Sequence, residues 1–372
     1  MVSIARRNLF HEKGRFAATA LGIAASIMLV LFGVGMAIGI WNSMVTVVDH
    51  SSADIWVLNS QNADLAQGQS IIPASVIVQI QGLNGVKSAT PLIYSTSIAE
   101  NGGEKQTVQV VGINGSNGPV SPWHLISGSV ASLSQNNAIV VDESAQMGLG
   151  KLSLGENLTI GGSTEEVVGI CTDAKSFLYP FVFTSYGNAQ KMCGINGNET
   201  NYVLVDAQTQ DVAEIANEIS QIGGINALPK QELRQNTIDY MLYKSGIGAM
   251  VVVFAGVGLF VATTIVSLTI YTATIERTSE YGTLKAIGAT KRDMYKILIE
   301  QAFWPATVGF TAGVVLTLSA TLAIASFMIM PIAISIQLAV AVYAMTMLLS
   351  VLGAFLSIRK VNKIDPGIVF RA

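Results

Sequence analysis

Residues 274–294 read TIERTSEYGTLKAIGATKRDM and are dense in charge. On either side lies a long run, Gly246 to Tyr271 and Phe303 to Met330, with no Asp, Glu, Lys, Arg or His. Crossing a bilayer takes roughly 20 apolar residues in a helix, so both runs are long enough to span. A polar, helix-forming island between two spans faces water and is placed to meet another protein.

Two further runs of spanning length are Phe16 to Trp41 and Ile332 to Ile358. The chain has 372 residues, a mean hydropathy of +0.51 and 12% charged residues, where a soluble domain carries about 25%. Residues 42–240 differ from the spans, with Gly, Asn, Ser, scattered charge and alternating β-branched residues. The expected fold class is therefore an α-helical membrane protein with four transmembrane helices and a large α+β extracytoplasmic domain between helices 1 and 2.

Of 21 Lys and Arg, most fall in three short stretches: residues 1–15, 272–302 and 359–372. The positive-inside rule places these stretches, and both termini, in the cytoplasm. Residues 42–240 then lie outside. The first apolar run is longer than the 7–15 residues of a cleaved signal peptide, so it reads as an uncleaved anchor. The expected order is a cytoplasmic amphipathic helix (1–15), helix 1 (16–41), the external domain (42–240), a stalk with helix 2 (241–273), a cytoplasmic segment (274–302), helices 3 and 4 (303–330 and 332–358) and a tail (359–372).

Inside the external domain, strands are expected at 54–58, 86–94, 107–113, 138–142 and 202–206, and helices at 73–80, 143–149 and 212–222. Residues 158–170 read as a hairpin about Gly161-Gly162. The order suggests a βαβ-type lobe into which a β-rich lobe, about residues 114–185, is inserted. The two cysteines, Cys171 and Cys193, both fall outside, where a disulfide is permitted; a bridge and two free thiols are equally open. In the spans, Gly35-x-x-x-Gly39 and Gly309-x-x-x-Gly313 are patterns that let helices approach closely. Pro305 sits near the start of span 3, where proline is best tolerated.

Within the island, Arg277 and Glu280 are three apart and can pair on one helix face. Lys285 suits the dipole of a last turn, and Gly288 supplies a stop. Thr290 with Asp293 makes a capping-box variant that starts a second helix. The expected form is a helix, a tight Gly-Ala-Thr elbow and another helix.

These residues resemble the motif of the FtsX/MacB-type permeases of ABC transporters, approximately Glu-Arg-x-x-Glu-Ile-Gly-x-Leu-Arg/Lys-Ala-x-Gly-Ala-Thr/Ser. Glu276, Arg277, Glu280, Gly282, Leu284, Lys285, Ala286, Gly288, Ala289 and Thr290 match, and Tyr281 stands where an aliphatic residue is usual. The tail DPGIVFRA (365–372) and the stretch VVDESAQMGLGKLSLGENLTI (140–160) are similar to the family's ending and external lobe, and the insertion has the size of the DevC-like branch. The resemblance implies a permease that forms a homodimer in the inner membrane and binds a separate ABC ATPase subunit holding ATP and Mg. The matched residues, with Tyr281 and Arg292, would form the ATPase-coupling interface. Spans 1 and 2 would carry motion outward, by mechanotransmission, to the external domain. A periplasmic membrane-fusion or adaptor protein is a further possible partner, and nucleic acid is not one.

The chain's own chemistry agrees with an external energy source. No phosphate-binding Gly-x-x-x-x-Gly-Lys-Ser/Thr loop, His-Glu-x-x-His or Cys-x-x-Cys occurs, so neither a catalytic site nor a metal site is expected. The spans hold none of the mid-membrane charges on which ion-coupled carriers depend. Export or extraction of a hydrophobic or amphipathic substrate is the leading expectation. The alternatives on the same fold are a regulator of a cell-wall hydrolase and a permease that releases lipoproteins or lipids. A membrane receptor is a third class, disfavoured by the absence of a signalling module.

Overall fold

The computed structural model describes residues 13–115, 118–208, 211–276, 280, 283, 287–325 and 332–362. They form two units, each with its own core. The helical unit draws on residues up to Ile38, then Gly248–Ser326 and Ile332–Ala372, and the α+β unit holds Gly39–Ile247.

The long helices are α1 (Lys13–Asp49), α7 (Ile247–Glu276), α8 (Lys291–Ala325) and α9 (Ile336–Asn362). Three of them, α1, α7 and α8, are long and apolar enough to cross a membrane, and α9 carries an apolar stretch over Ile336–Leu352. Helix α8 begins at Lys291, so Pro305 lies inside a helix rather than near its start. The reason is that the capped segment after Thr290 is continuous with the apolar run, and the helix starts well before the greasy residues do.

The α+β unit opens with β1 (Ile55–Asn59), β2 (Ile72–Pro73), α2 (Val76–Gln81), β3 (Val86–Asn101) and β4 (Glu104–Ile113). It continues through β5 (Leu125–Gly128), β6 (Ala138–Asp142), α3 (Gln146–Leu149), β7 (Asn157–Ile160), β8 (Ser163–Cys171), β9 (Phe181–Ser185) and α4 (Tyr186–Cys193). The last elements are β10 (Glu199–Thr200), β11 (Tyr202–Ala207), α5 (Val212–Ser220), β12 (Ile225–Pro229) and α6 (Lys230–Tyr243).

Strands β12-β1-β11-β3 lie side by side, each antiparallel to its neighbour. Units β1-α2-β3 and β11-α5-β12 each skip one strand, which is the split βαβ arrangement of a ferredoxin-like fold. The 16-residue β3 serves two lobes. Its first part, Val86 to Leu92, pairs with β11, and its second, Ile93 to Asn101, pairs with β4. From there the order β3-β4-β9-β6-β8 is closed by β7, which pairs with both β8 and β3. The inserted lobe is thus a six-stranded closed ring that begins inside β3, upstream of the boundary at 114. Closure leaves the ring strands no free edge. The hairpins β3–β4 and β7–β8 turn on Gly102-Gly103 and Gly161-Gly162, all at positive φ, as two-residue hairpins with right-twisted strands require.

Alternation along the strands sends side chains to separate cores. On β9, Val182 faces the ring interior with Val110, Val141 and Ile160. Phe181 and Phe183 face the other way, into a core that also holds Trp56, Tyr202, Val47, Val48 and Leu233. That second core joins ring, ferredoxin-like lobe, the end of α1 and α6.

Candidate functional site

Helix α7 carries the chain to Glu276. Glu280 and Thr283 are helical, the Ile287 N–H donates to the Thr283 carbonyl at 3.1 Å, and Gly288 follows at φ +99°. A positive φ at the residue after a helix is the position glycine takes without steric cost. Two residues on, Thr290 caps α8. The Asp293 N–H donates to Thr290 Oγ1 at 3.4 Å, and the Thr290 N–H and hydroxyl donate to Asp293 Oδ2 at 2.9 and 2.6 Å. These bonds hold the Asp293 carboxyl below the usual carboxylate range. The helix, elbow and capped helix are therefore built as the residues between 283 and 293 dictate.

The elbow presents Ile287, 77% exposed, beside exposed Gly288, Thr290 and Arg292, while Ala289 turns inward onto the helical core. Arg277, Tyr281, Gly282, Leu284, Lys285 and Ala286 lie outside the described residues, so the Arg277–Glu280 pair is not described. Glu276 has a partner that local spacing does not reveal. Arg15 at the start of α1 grips its carboxylate with both guanidinium nitrogens, Nη1 to Oε2 at 2.5 Å and Nη2 to Oε1 at 2.7 Å.

Helix α1 is the hub of its unit. Its most apolar window is 61% buried, against 17% for α7 and for α8. A Cβ at Gly309 of α8 would stand 2.7 Å from Ile23 Cβ and 2.8 Å from the Ala20 carbonyl; at Gly313 it would stand 2.7 Å from Ile27 Cβ and 2.9 Å from the Ala24 carbonyl. Both expected small residues thus sit against the α1 backbone. On the α7 side the same approach is made by Gly22 under Ile265, Gly33 under Phe254 and Gly258 over Val30 and the Ser26 carbonyl, with a Thr19–Thr269 hydroxyl contact at 3.1 Å. Gly35 packs on the extended residues 332–334, and its carbonyl accepts from the Ala333 N–H at 2.9 Å. Gly39 lies within α1, where its carbonyl accepts from the Ser43 hydroxyl.

The C-terminal end of α1 is held within the α+β unit. Arg234 of α6 donates to Asp49 at 2.8 Å, and the Lys230 ammonium donates to the Ser51 carbonyl at 2.5 Å and the Asp49 carbonyl at 3.4 Å. Cations at a helix C-terminus are favoured by its dipole. His50 stacks on Trp123 with ring centroids 4.0 Å apart. Sequence reasoning missed this joint; its one local trace is the basic pair Lys230 and Arg234, a helical turn apart.

The two cysteines are free. Cys171 is buried in the core shared by the lobes, and Cys193 packs against the ring interior on the other side of the sheet. The sheet between them rules out the bridge. Burial pushes both thiols up, Cys193 to about 11, so neither is a thiolate at neutral pH. Among the described residues, no group of three or more His, Cys, Asp and Glu is placed to hold a metal. A cleft of about 210 Å³ in the α+β unit is lined by Leu65, Gln69, Tyr94, Ser95, Gln109 and Tyr202. Burial raises both tyrosine hydroxyls, so its walls are neutral.

Two family models match the chain. The MacB-like periplasmic core domain covers residues 16–222, and the FtsX-like permease C-terminal region covers 252–366. An ABC transporter permease of Mycobacterium tuberculosis is 24% identical over 374 aligned residues, 100% of this chain and 99% of that protein. A protein of Staphylococcus haemolyticus named hemin transport system permease protein HrtB is 26% identical over 247 residues, and the match spans 65% of each chain. The pyoverdine export ATP-binding/permease protein PvdT of Pseudomonas putida is 23% identical over 394 residues; the match takes in 97% of this chain and 58% of that protein's length.

Proposed function

Because the chain belongs to the ABC transporter permeases that join a MacB-like periplasmic core domain to an FtsX-like permease C-terminal region, we propose that it is the permease subunit of an ABC exporter, driven by a separate ATPase. The observation that carries this reading is the elbow at 287–290. Two helix ends meet there, stopped by Gly288 and restarted by the Thr290–Asp293 cap, with Ile287 and Arg292 offered outward between two apolar helices. Such a rigid, exposed corner suits a cleft on a partner protein. In this reading residues 280–292 dock in the ATPase, which holds ATP and Mg.

Four spans, α1, α7, α8 and α9, then cross the inner membrane with both termini in the cytoplasm and residues 42–240 outside. Two copies form the working permease. The lipid-facing or partner-facing character of α7 and α8 is consistent with this, since each leaves most of its apolar window uncovered within one chain. The substrate class is hydrophobic or amphipathic. The relatives named for hemin transport and pyoverdine export support a transport role over the hydrolase-regulator alternative. An external adaptor protein would complete the route.

A β-branched residue is a steric outlier at positive φ, so Gly288→Val should distort the elbow while leaving the apolar helices intact. Arg292→Glu should reverse the docking charge. Both variants are expected to reach the membrane at wild-type levels and to lose at least about tenfold of the co-purifying ATPase. Wild-type recovery of ATPase by both variants would refute docking at this corner.

A further inference from the structure

We propose that Arg15 and Glu276 are transmission residues: their two-pronged ion pair latches the cytoplasmic end of α1 to the end of α7, and Glu276 serves this latch instead of the docking surface. The inference rests on the reading of residues 280–292 as the docking corner and removes Glu276 from the surface that the family resemblance assigns to docking. Arg15 precedes the apolar part of α1, and Glu276 closes the described run of α7.

Among the described residues these two helices also meet through close packing at Gly22 with Ile265, Gly33 with Phe254 and Gly258 with Val30, through a shared apolar core, and through the Thr19–Thr269 contact. Apolar packing is non-directional. It keeps the helices together but resists rotation or sliding of one along the other only weakly. A guanidinium bound to a carboxylate through two parallel bonds fixes orientation as well as distance. The pair is partly exposed, with side-chain exposures of 33% and 53%. Such pairs contribute little to folding stability. Its value is geometric: a push on the α7 end of the corner is delivered to α1 in a fixed direction.

Helix α1 is placed to use that push. It is one continuous helix to Asp49, 37 residues long, or about 55 Å at 1.5 Å per residue. Its far end is gripped by Lys230 and Arg234 through the joint described above. A carboxylate with both oxygens engaged by Arg15 is also poorly available to a partner protein. Removing the pair should therefore spare binding and damage coupling.

The test uses the full-length chain in lipid nanodiscs, alone and with its ATPase. The variants are Arg15→Glu, Glu276→Arg, the double swap, and Arg15→Lys, which keeps charge but loses the two-pronged geometry. In the chain alone, hydrogen exchange is followed over residues 13–20 and 270–276. Each single reversal should speed exchange at both helix ends by about fivefold, and the double swap should restore protection. With the ATPase, single reversals should keep its co-purification within about twofold while lowering ATP hydrolysis at least about tenfold. Arg15→Lys should fall between, and the double swap should recover.

Exchange that stays unchanged in the single variants, or a double swap that recovers neither readout, would overturn the latch. Loss of the ATPase from Glu276→Arg would return Glu276 to the docking surface and also overturn it. If the wild-type chain holds no ATPase, the docking reading fails, and the exchange measurement still decides the latch.

Discussion

Gly313→Leu is expected to prevent the chain from accumulating as a folded membrane protein. Even the first atom of a side chain at Gly313 would stand 2.7 Å from Ile27 Cβ and 2.9 Å from the Ala24 carbonyl. A carbonyl oxygen belongs to the α1 backbone and cannot swing aside as a side chain can. Overpacking a close-packed contact typically costs about 1–3 kcal/mol, and more where the neighbours cannot yield. Leucine adds four carbons here, one turn from Gly309, which makes the same approach to Ala20 and Ile23. A side chain of that size can be seated only by parting α8 from α1, and a fold of marginal stability has little to spare for that loss. Gly313→Ala should be partly tolerated, with a lowered melting temperature. Gly14→Leu should have no comparable effect, because among the described residues a Cβ at Gly14 meets nothing within 4 Å. Fluorescence-detected size exclusion of the three variants checks the order; a monodisperse, wild-type-like peak for Gly313→Leu would show that α8 does not pack on α1 in this way.

The second large effect is expected at Phe183. Its ring lies 5.3 Å from Trp123 and 6.0 Å from Phe181, edge to face in both cases. It is fully buried in the core that also includes Trp56 and Tyr202 of the ferredoxin-like lobe, Val47 and Val48 of α1 and Leu233 of α6. Truncating a phenylalanine in such a core costs about 3–5 kcal/mol, through lost transfer energy and the cavity left behind. Because this core joins the lobes to the end of α1, Phe183→Ala should loosen the grip of the α+β unit on that helix as well as lower stability. Denaturant unfolding followed by tryptophan fluorescence measures the first effect. Faster hydrogen exchange at residues 44–52 measures the second. Ile98→Ala, at a position 59% exposed, should change neither.

The sequence is legible where structure is local. The elbow is the clearest case, because a helix stop and a capping box are decided by residues within a few positions of each other. Gly288 and the Thr290–Asp293 pair therefore take the expected places. The apolar runs predicted long helices for the same reason, although polar turns extend them: α1 continues to Asp49 and α8 starts at Lys291. Long-range pairing is what the residues do not announce. The strand expected at 86–94 ends at Tyr94. Strand β3 instead continues to Asn101, since β4 and β7 supply its hydrogen bonds. The PheValPheThr run of β9 and the β12–α6 segment gave no alternating pattern and were missed. The β9 strand is buried on both faces, and β12 is fixed by its partner β1. The site shows the same division. The i, i+3 rule could offer Glu280 only a neighbour in its own helix, whereas the partner found for Glu276 is 261 residues away. The two cysteines could not be resolved from spacing because the question was which face of the sheet each occupies.

The corner at 287–290 is where we propose that a separate ATPase drives this permease. Photo-crosslinking in the native host tests it most directly, with p-benzoylphenylalanine placed at Ile287 and, as a control, at the exposed Met147 of the α+β unit. Mass spectrometry of the captured proteins should find an ABC ATPase joined to the Ile287 probe and none joined to the Met147 probe. An Ile287 probe that captures no ATPase in cells where the full-length chain is folded and membrane-inserted would contradict the claim, as would equal capture at both positions.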